Sequence, residues 1–233
     1  ECFGGVDVWI NNAGVGAVGE FDSTPLAVHE RVIRTNLLGT MNGAHAVLPH
    51  FKARGRGVLI NTLSVGSWAS SPYGVAYSAS KFGLRGFSEA LRGELAGQPD
   101  SQVCDVYPAF LDTPGVAHAA NLSGHQIRPV PPLHDARHVA QAMVRLARHP
   151  QAAVTVGAAA TAIHAAHAVA PNLAAGVMGR FVKRWFAQAA PAERSTGILF
   201  EPDAAGDARI DGGWRQRDPR ERARTGRLAL LRG

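Results

Sequence analysis

The stretch from Leu59 to Leu95, LINTLSVGSWASSPYGVAYSASKFGLRGFSEALRGEL, decides how the chain is read. It opens inside an apolar run, Val58 to Leu63, with the composition of a buried parallel strand, and that run stops at Ser64. A Gly/Ser/Pro-rich turn follows, and the pattern predicts a helix from near Tyr73 to about Ala96. Tyr77 and Lys81 stand at i and i+4 and share one face of that helix. A hydroxyl at the carboxyl end of a strand, facing a Tyr and a Lys on the next helix, lies where ligands bind in an open α/β sheet.

These residue types suit one chemistry. A phenol titrates near 10, too high for a base at neutral pH. An ammonium one helical turn away favours the phenolate. Each unit is worth about 1.4 kcal/mol, so a shift of two to three units asks about 3–4 kcal/mol of Lys81 and the charge of a cofactor. The Ser64 hydroxyl can bond a substrate oxygen and hold it beside Tyr77. Together they can pass a proton to or from a carbonyl/alcohol pair. A bare Y-x-x-x-K also occurs on ordinary helix surfaces. Here strand, Ser, small-residue turn and Tyr77-Ser78-Ala79-Ser80-Lys81 come in one order, which favours the catalytic reading.

That order resembles the short-chain dehydrogenase/reductase family, in which a Ser precedes the Tyr of a Y-x-A-S-K segment by thirteen residues, as Ser64 precedes Tyr77. Asn11-Asn12-Ala13-Gly14 looks like the family's N-N-A-G after its fourth strand. Asn36, in Arg34-Thr35-Asn36-Leu37-Leu38-Gly39, looks like its catalytic-helix Asn. Pro108 to Pro114 resembles its P-G-x-x-x-T segment, with Ala109 in place of the Gly. The resemblance covers about residues 1–157. It implies a Rossmann-like, doubly wound parallel α/β sheet and an NAD- or NADP-dependent oxidoreductase acting on an alcohol or ketone. By it, Tyr77 transfers the proton, Lys81 lowers its pKa and bonds the nicotinamide ribose, and Ser64 orients the carbonyl. Asn36, by its side chain and a local backbone kink, holds a relay water. Asn12, Ala13 and Gly14 support the cofactor, Pro108 and Ala109 pack against the nicotinamide, and Thr113 bonds its carboxamide or the phosphates. A homo-oligomer is implied as well. Ala109 adds a Cβ where backbone freedom is expected.

Composition bounds the rest. The 233 residues suffice for one sizeable domain of ordinary apolar and charged content. Cys2 and Cys104 make neither a disulfide framework nor a zinc site, and His118, His125 and His134 are too scattered to argue for a metal. No leading signal peptide is visible, which sets a cytoplasmic default. Of the net charge of +6, the stretch from Arg215 to Gly233 carries +5, seven Arg against Asp218 and Glu221. The high pI therefore reports a tail and gives the fold no reason to bind nucleic acid.

Along the chain, Val6 to Ile10 reads as a parallel strand and Gly14 to Gly19 as a Gly-rich run. That run follows the wrong strand and leads into Glu20-Phe21-Asp22, so it is not a phosphate loop. The family's T-G-x-x-x-G-x-G loop and first three strands find no match, and the chain is expected to be truncated in front by roughly 80 residues. With a family sheet order of 3-2-1-4-5-6-7, Val6–Ile10 then becomes an uncovered apolar edge, and weak cofactor binding is expected. Ser23-Thr24-Pro25 reads as a helix start with a capping hydroxyl, followed by helix to about Lys52. Val103 to Val106 and Ala153 to Gly157 read as strands. Residues 115–134 read as the irregular, mobile substrate lid, and Asn121-Leu122-Ser123 as a chance sequon. Asp135 caps a helix to about Arg148 whose buried face is Val139, Met143, Val144, Leu146 and Ala147.

Three units follow: a catalytic domain over 1–190, an extension over 191–214 and a basic, disordered tail over 215–233. Residues 158–188 are Ala-rich, then basic and aromatic after Pro171. They do not read as a membrane span, and core or dimer packing, a cover for the substrate pocket and peripheral membrane contact through 171–188 stay open. Two other functions are weighed. A non-catalytic remnant or scaffold would lack dinucleotide binding. An epimerase or dehydratase of the extended branch is disfavoured by Ser64, its spacing to Tyr77 and the short region beyond.

Overall fold

The structure is a computed structural model and describes residues 4–202 and 209–215. In chain order it forms β1 (Val8–Asn11), β2 (Ala17–Val18) and α1 (Leu26–Ile33), then a π-helical segment (Arg34–Leu38) that runs into α2 (Gly39–Arg54). β3 (Gly57–Thr62), a 3-10 turn (Val65–Ser67), α3 (Val75–Glu94) and β4 (Ser101–Pro108) follow. The rest is α4 (Gly115–His118), β5 (Ala120–Asn121), α5 (Ala136–Arg148), β6 (Ala153–Val156), α6 (Ala158–Val169) and α7 (Pro171–Ala187).

The main sheet runs β1-β3-β4-β6, all parallel, which is the 4-5-6-7 part of the order that the resemblance implies. Its central strands are apolar on both faces because both faces are covered. Leu59 and Val103 point to one side and pack with Ala44, Val47 and Phe51 of α2 and Leu91 of α3. Ile60, Cys104 and Val106 point to the other and pack with Val139, Met143 and Leu146 of α5. Each such buried side chain contributes about 1.5–3 kcal/mol. Gly57 opens β3 because the Phe51 ring lies where a Cβ would stand. Among the described residues β1 pairs only with β3, and Trp9 and Ile10 are exposed.

Several local expectations need correction. Pro25, with extended backbone, is itself the residue before α1 and no side chain caps it. The Thr24 hydroxyl is buried against Gly19 without a hydrogen-bond partner. Val144 is exposed, because it sits about 100° around the helix from the inward Met143. The 115–134 region is not structureless: it holds α4 and β5, and β5 pairs in parallel with β2 through Ala17–Ala120 and Val18–Asn121. Asp135 does cap α5, its carboxylate accepting from Arg137 N at 2.8 Å.

Pro171 ends one helix and starts the next at its first turn, the position a proline tolerates. α7 turns Val182 and Phe186 inward, Phe186 meeting the Tyr73 ring at 5.1 Å, and leaves Leu173, Val177 and Phe181 exposed. No helix among the described residues is long and apolar enough to cross a membrane. Arg215, assigned above to a disordered tail, is held by three aspartates; the remainder of that tail, 216–233, lies outside the described residues.

Candidate active site

β3 carries the chain to Ser64, whose extended backbone lets its Oγ accept from Gly66 N at 3.1 Å and start the 3-10 turn. The turn brings the chain to Tyr73, which holds a left-handed φ of 64° and whose carbonyl accepts from Gly19 N at 2.9 Å. α3 then returns along the strand ends and presents Tyr77 and Lys81. Ser64 and Tyr77 come together over Gly66, where a Cβ would stand 3.3 Å from the Tyr77 ring and 3.5 Å from Ser64 Oγ. Lys81 is buried, and its Nζ donates to Thr62 O at 2.8 Å and lies 5.7 Å from the centre of the Tyr77 ring.

The charges differ from the expectation. Burial pushes the Tyr77 phenol up, and the Ser64 side chain only pulls part of the way back. Burial also pushes Lys81 down, to about 8. In the chain alone, then, desolvation is the larger effect at both groups. Among the described residues no carboxylate pairs with Lys81. One of its N–H groups is spent on Thr62, which leaves the others for a ligand hydroxyl.

Asn36 lies in the π-helical segment and is fully buried. Its amide clamps Val15, accepting from Val15 N at 2.8 Å and donating to Val15 O at 2.9 Å, and donates to Ser80 Oγ at 3.1 Å. Both N–H groups of the amide are therefore spent on protein partners. The clamp fixes the exposed turn Asn12-Ala13-Gly14 over the strand ends. A Cβ at Gly14 would stand 3.5 Å from Asn36 Oδ1 and 3.9 Å from Lys81 Nζ, so turn, Asn36 and Lys81 meet at one place. Thr62 Oγ1 ties Asn12 to β3 at 3.0 Å.

Pro108 and Ala109 are buried at the end of β4. Ala109 packs with Val65 and Ala160 beside the Ser64 turn and needs no left-handed backbone, so the Cβ that replaces glycine is accommodated. Thr113 is not drawn into the Tyr77 cluster by any contact among the described residues; it lies against Gly115 and Gly212.

Sequence reasoning missed three features. Asn11 and Asn61 stand in register on β1 and β3, bonded at 2.9 Å, and Asn61 passes the chain of bonds to Ser88 of α3 at 3.0 Å. Two asparagines at matching strand positions were the available signal. Asp112 and Arg215 form a buried pair at 3.1 Å across the whole length of the fold, and nothing local announces it. A cavity of about 140 Å³ is walled by Tyr73, Leu122, Phe186 and Ala187 and rimmed by Glu20, His125, Lys183 and Arg194.

The groups present suit the nicotinamide–ribose end of a dinucleotide: an exposed small-residue turn, a buried ammonium with N–H to spare and a phenol beside a Ser. A phosphate-cradling loop is not found among the described residues.

Comparison with known proteins agrees with this geometry. The chain is 34% identical over 170 residues to the putative oxidoreductase SadH of Mycobacterium tuberculosis, covering 69% of this chain and 61% of that one. It is 41% identical over 124 residues to a 3-ketodihydrosphingosine reductase of Bacteroides thetaiotaomicron, covering 52% and 44%. It thus spans between 44% and 61% of the length of these relatives. A short chain dehydrogenase of Burkholderia cenocepacia, solved in complex with NADP, shares the fold with a TM-score of 0.63 at 24% identity, over 74% of this chain and 68% of that one. The family model for short chain dehydrogenases matches residues 1–121, the stretch that holds Asn36, Ser64, Tyr77 and Lys81, and the chain belongs to that family.

Proposed function

We propose that the protein is an NAD(P)-dependent oxidoreductase that interconverts a small-molecule alcohol and ketone. The observation that carries the reading is the convergence of Ser64, Tyr77, Lys81 and the Asn36-clamped turn at the carboxyl ends of β1 and β3. A bound nicotinamide supplies or accepts the hydride. Ser64 holds the carbonyl oxygen by its hydroxyl. Tyr77 gives the proton to that oxygen, or takes it from the alcohol, and Lys81 binds the ribose and stabilises the phenolate. With the phenol raised by burial, that stabilisation has to come when Lys81 and the bound cofactor's charge act together in a closed site.

A cavity lies beside Tyr73, four residues before Tyr77; Ser64, Tyr77 and Lys81 do not line it, so it does not by itself assign the substrate. Its walls are Tyr73, Leu122 and Phe186 and its rim is charged, which fits a molecule with a hydrophobic body and a polar end. α7 contributes Phe186 and Ala187 to that cavity, so part of 171–188 packs onto the body of the fold.

Replacing Tyr77 by Phe tests the mechanism. Turnover of a carbonyl substrate with NADH or NADPH should fall by about 10²–10⁴-fold, the usual worth of a positioned acid–base group. Cofactor affinity, read by nicotinamide fluorescence, should hold within about twofold. Unchanged turnover ends this mechanism, and a wild-type protein that neither binds nor turns over points to the scaffold reading.

A further inference from the structure

The segment after β4 is backed by the chain's own carboxyl-terminal stretch, in two places. Along the first, Asn121 and Ser195 exchange backbone hydrogen bonds of 2.7 and 2.8 Å. Gln126 N donates to Ala190 O at 2.7 Å, Ala192 N to Gly124 O at 3.0 Å and Ile198 N to His118 O at 3.1 Å. Leu199 closes the run, buried with Val28, Val32 and Ala120, its carbonyl accepting from Arg31 Nε at 3.0 Å.

The second place is a charge cluster. Asp112 is 2% exposed, and a buried carboxylate without partners is costly. It accepts from Trp214 N at 2.8 Å, Arg215 N at 3.3 Å and Arg215 Nε at 3.1 Å, so its compensating cation comes from the far end of the chain. The same guanidinium reaches Asp135 at 3.2 Å and Asp211 at 3.0 Å, and Arg137 of α5 bridges Asp135 and Asp211 from the other side. Gly212 N donates to Asp112 O at 3.3 Å, and a Cβ on Gly212 would strike the Thr113 carbonyl. Thr113 follows Asp112 directly, and Leu122, which walls the cavity, lies within the first fastening, between Asn121 and Gly124.

We propose that the carboxyl-terminal extension is a backing that holds residues 112–126 in place, with Asp112–Arg215 as its latch, and that Arg215 is a positioning residue for Thr113 and Leu122. The segment read above as a mobile lid is by this account pinned. The consequence for substrate rests on the oxidoreductase reading; the latch stands on its own contacts.

Amide hydrogen exchange on the full chain tests it. Arg215→Ala should speed exchange at Asp112, Asn121, Leu122 and Gln126 by at least about tenfold, as local opening does, and leave Ile60 and Val106 of the sheet unchanged. Arg215→Lys keeps the charge but not the forked donors, and should restore part of the protection. Gly212→Ala displaces the segment from Thr113 without touching a charge, and should produce the same local opening even where the Arg215→Ala variant folds poorly. Unaltered exchange, or an equal rise throughout the sheet, overturns the latch. In turnover, Arg215→Ala should raise KM for the carbonyl substrate several-fold with kcat nearly kept; equal losses in both would leave Arg215 a merely structural role. A chain without turnover would fail the oxidoreductase reading and leave exchange to decide the latch.

Discussion

The two ends of α3 bury charge in opposite ways. Near its carboxyl end Arg92 meets Asp105, a fully buried carboxylate, at 2.9 Å, with Tyr107 OH donating to the same oxygen at 3.3 Å. Arg92 also donates to the carbonyls of Val103 and Ala152, so Asp105 has a cation beside it, although its Oδ1 has no partner and burial still raises its pKa. Near the amino end Lys81 has one backbone carbonyl and no carboxylate among the described residues. A buried carboxylate with a cation beside it fastens helix to sheet. An uncompensated ammonium costs stability and keeps N–H groups for a ligand. The difference separates the half of α3 that builds the fold from the half that does chemistry.

The largest effect expected from breaking this contrast is at the carboxyl end. Arg92→Ala leaves Asp105 buried beside apolar strands and should destabilise the chain by about 3–5 kcal/mol, read from denaturant unfolding. A loss under about 1 kcal/mol would mean that water reaches Asp105, and that the pair is no different from a surface ion pair.

The uncompensated end should respond with the other sign. Lys81 falls from 10.5 to about 8 on burial, so at neutral pH its charge costs about 3 kcal/mol. Lys81→Met removes that cost and loses a hydrogen bond worth about 1 kcal/mol. The variant should be more stable by about 1–2 kcal/mol and inactive, the exchange of stability for function that active sites show. pH separates the two ends. Lys81 binds its proton less tightly folded than unfolded, so stability should rise between about pH 8 and 10.5 in the wild type and not in Lys81→Met. Asp105, raised by burial, binds its proton more tightly folded, so its contribution is greatest in acid and falls as pH climbs through the raised pKa. Asp105→Asn should remove that fall. Parallel pH curves for wild type and Lys81→Met would refute the assignment.

How much of this could be read in advance follows from how local the signal is. The four parallel strands, α3 and the Ser64–Tyr77–Lys81 constellation are written in periodicity and spacing over a few tens of residues, and the structure brings them together. The resemblance implies a kink at Asn36, but not that its amide is used by Val15, because that bond joins a helical turn to a loop with no sequence mark. The direction of the Tyr77 shift was missed, since the sequence shows an adjacent cation but not how deeply both groups are buried. Arg215 was placed with six other arginines in a solvated tail, by composition; what sets it apart is Asp112, about a hundred residues away and unmarked until the chain folds.

The smallest expected effect sharpens the contrast by testing whether the cost at the amino end of α3 lies in charge or in packing. Ala109 stands at the site, buried between Val65 and Ala160, where the family pattern has glycine. If charge alone is unfavourable here, neighbouring apolar contacts should behave like ordinary core. Ala109→Gly should then destabilise by about 0.5–1 kcal/mol, from the freed backbone and the lost methyl contact. Cofactor affinity should not improve, because Ala109 already takes a backbone open to any residue. If Ala109→Gly instead stabilised the chain or tightened nicotinamide binding, the methyl would be the source of strain, and the cost would lie in packing and not in the buried ammonium of Lys81.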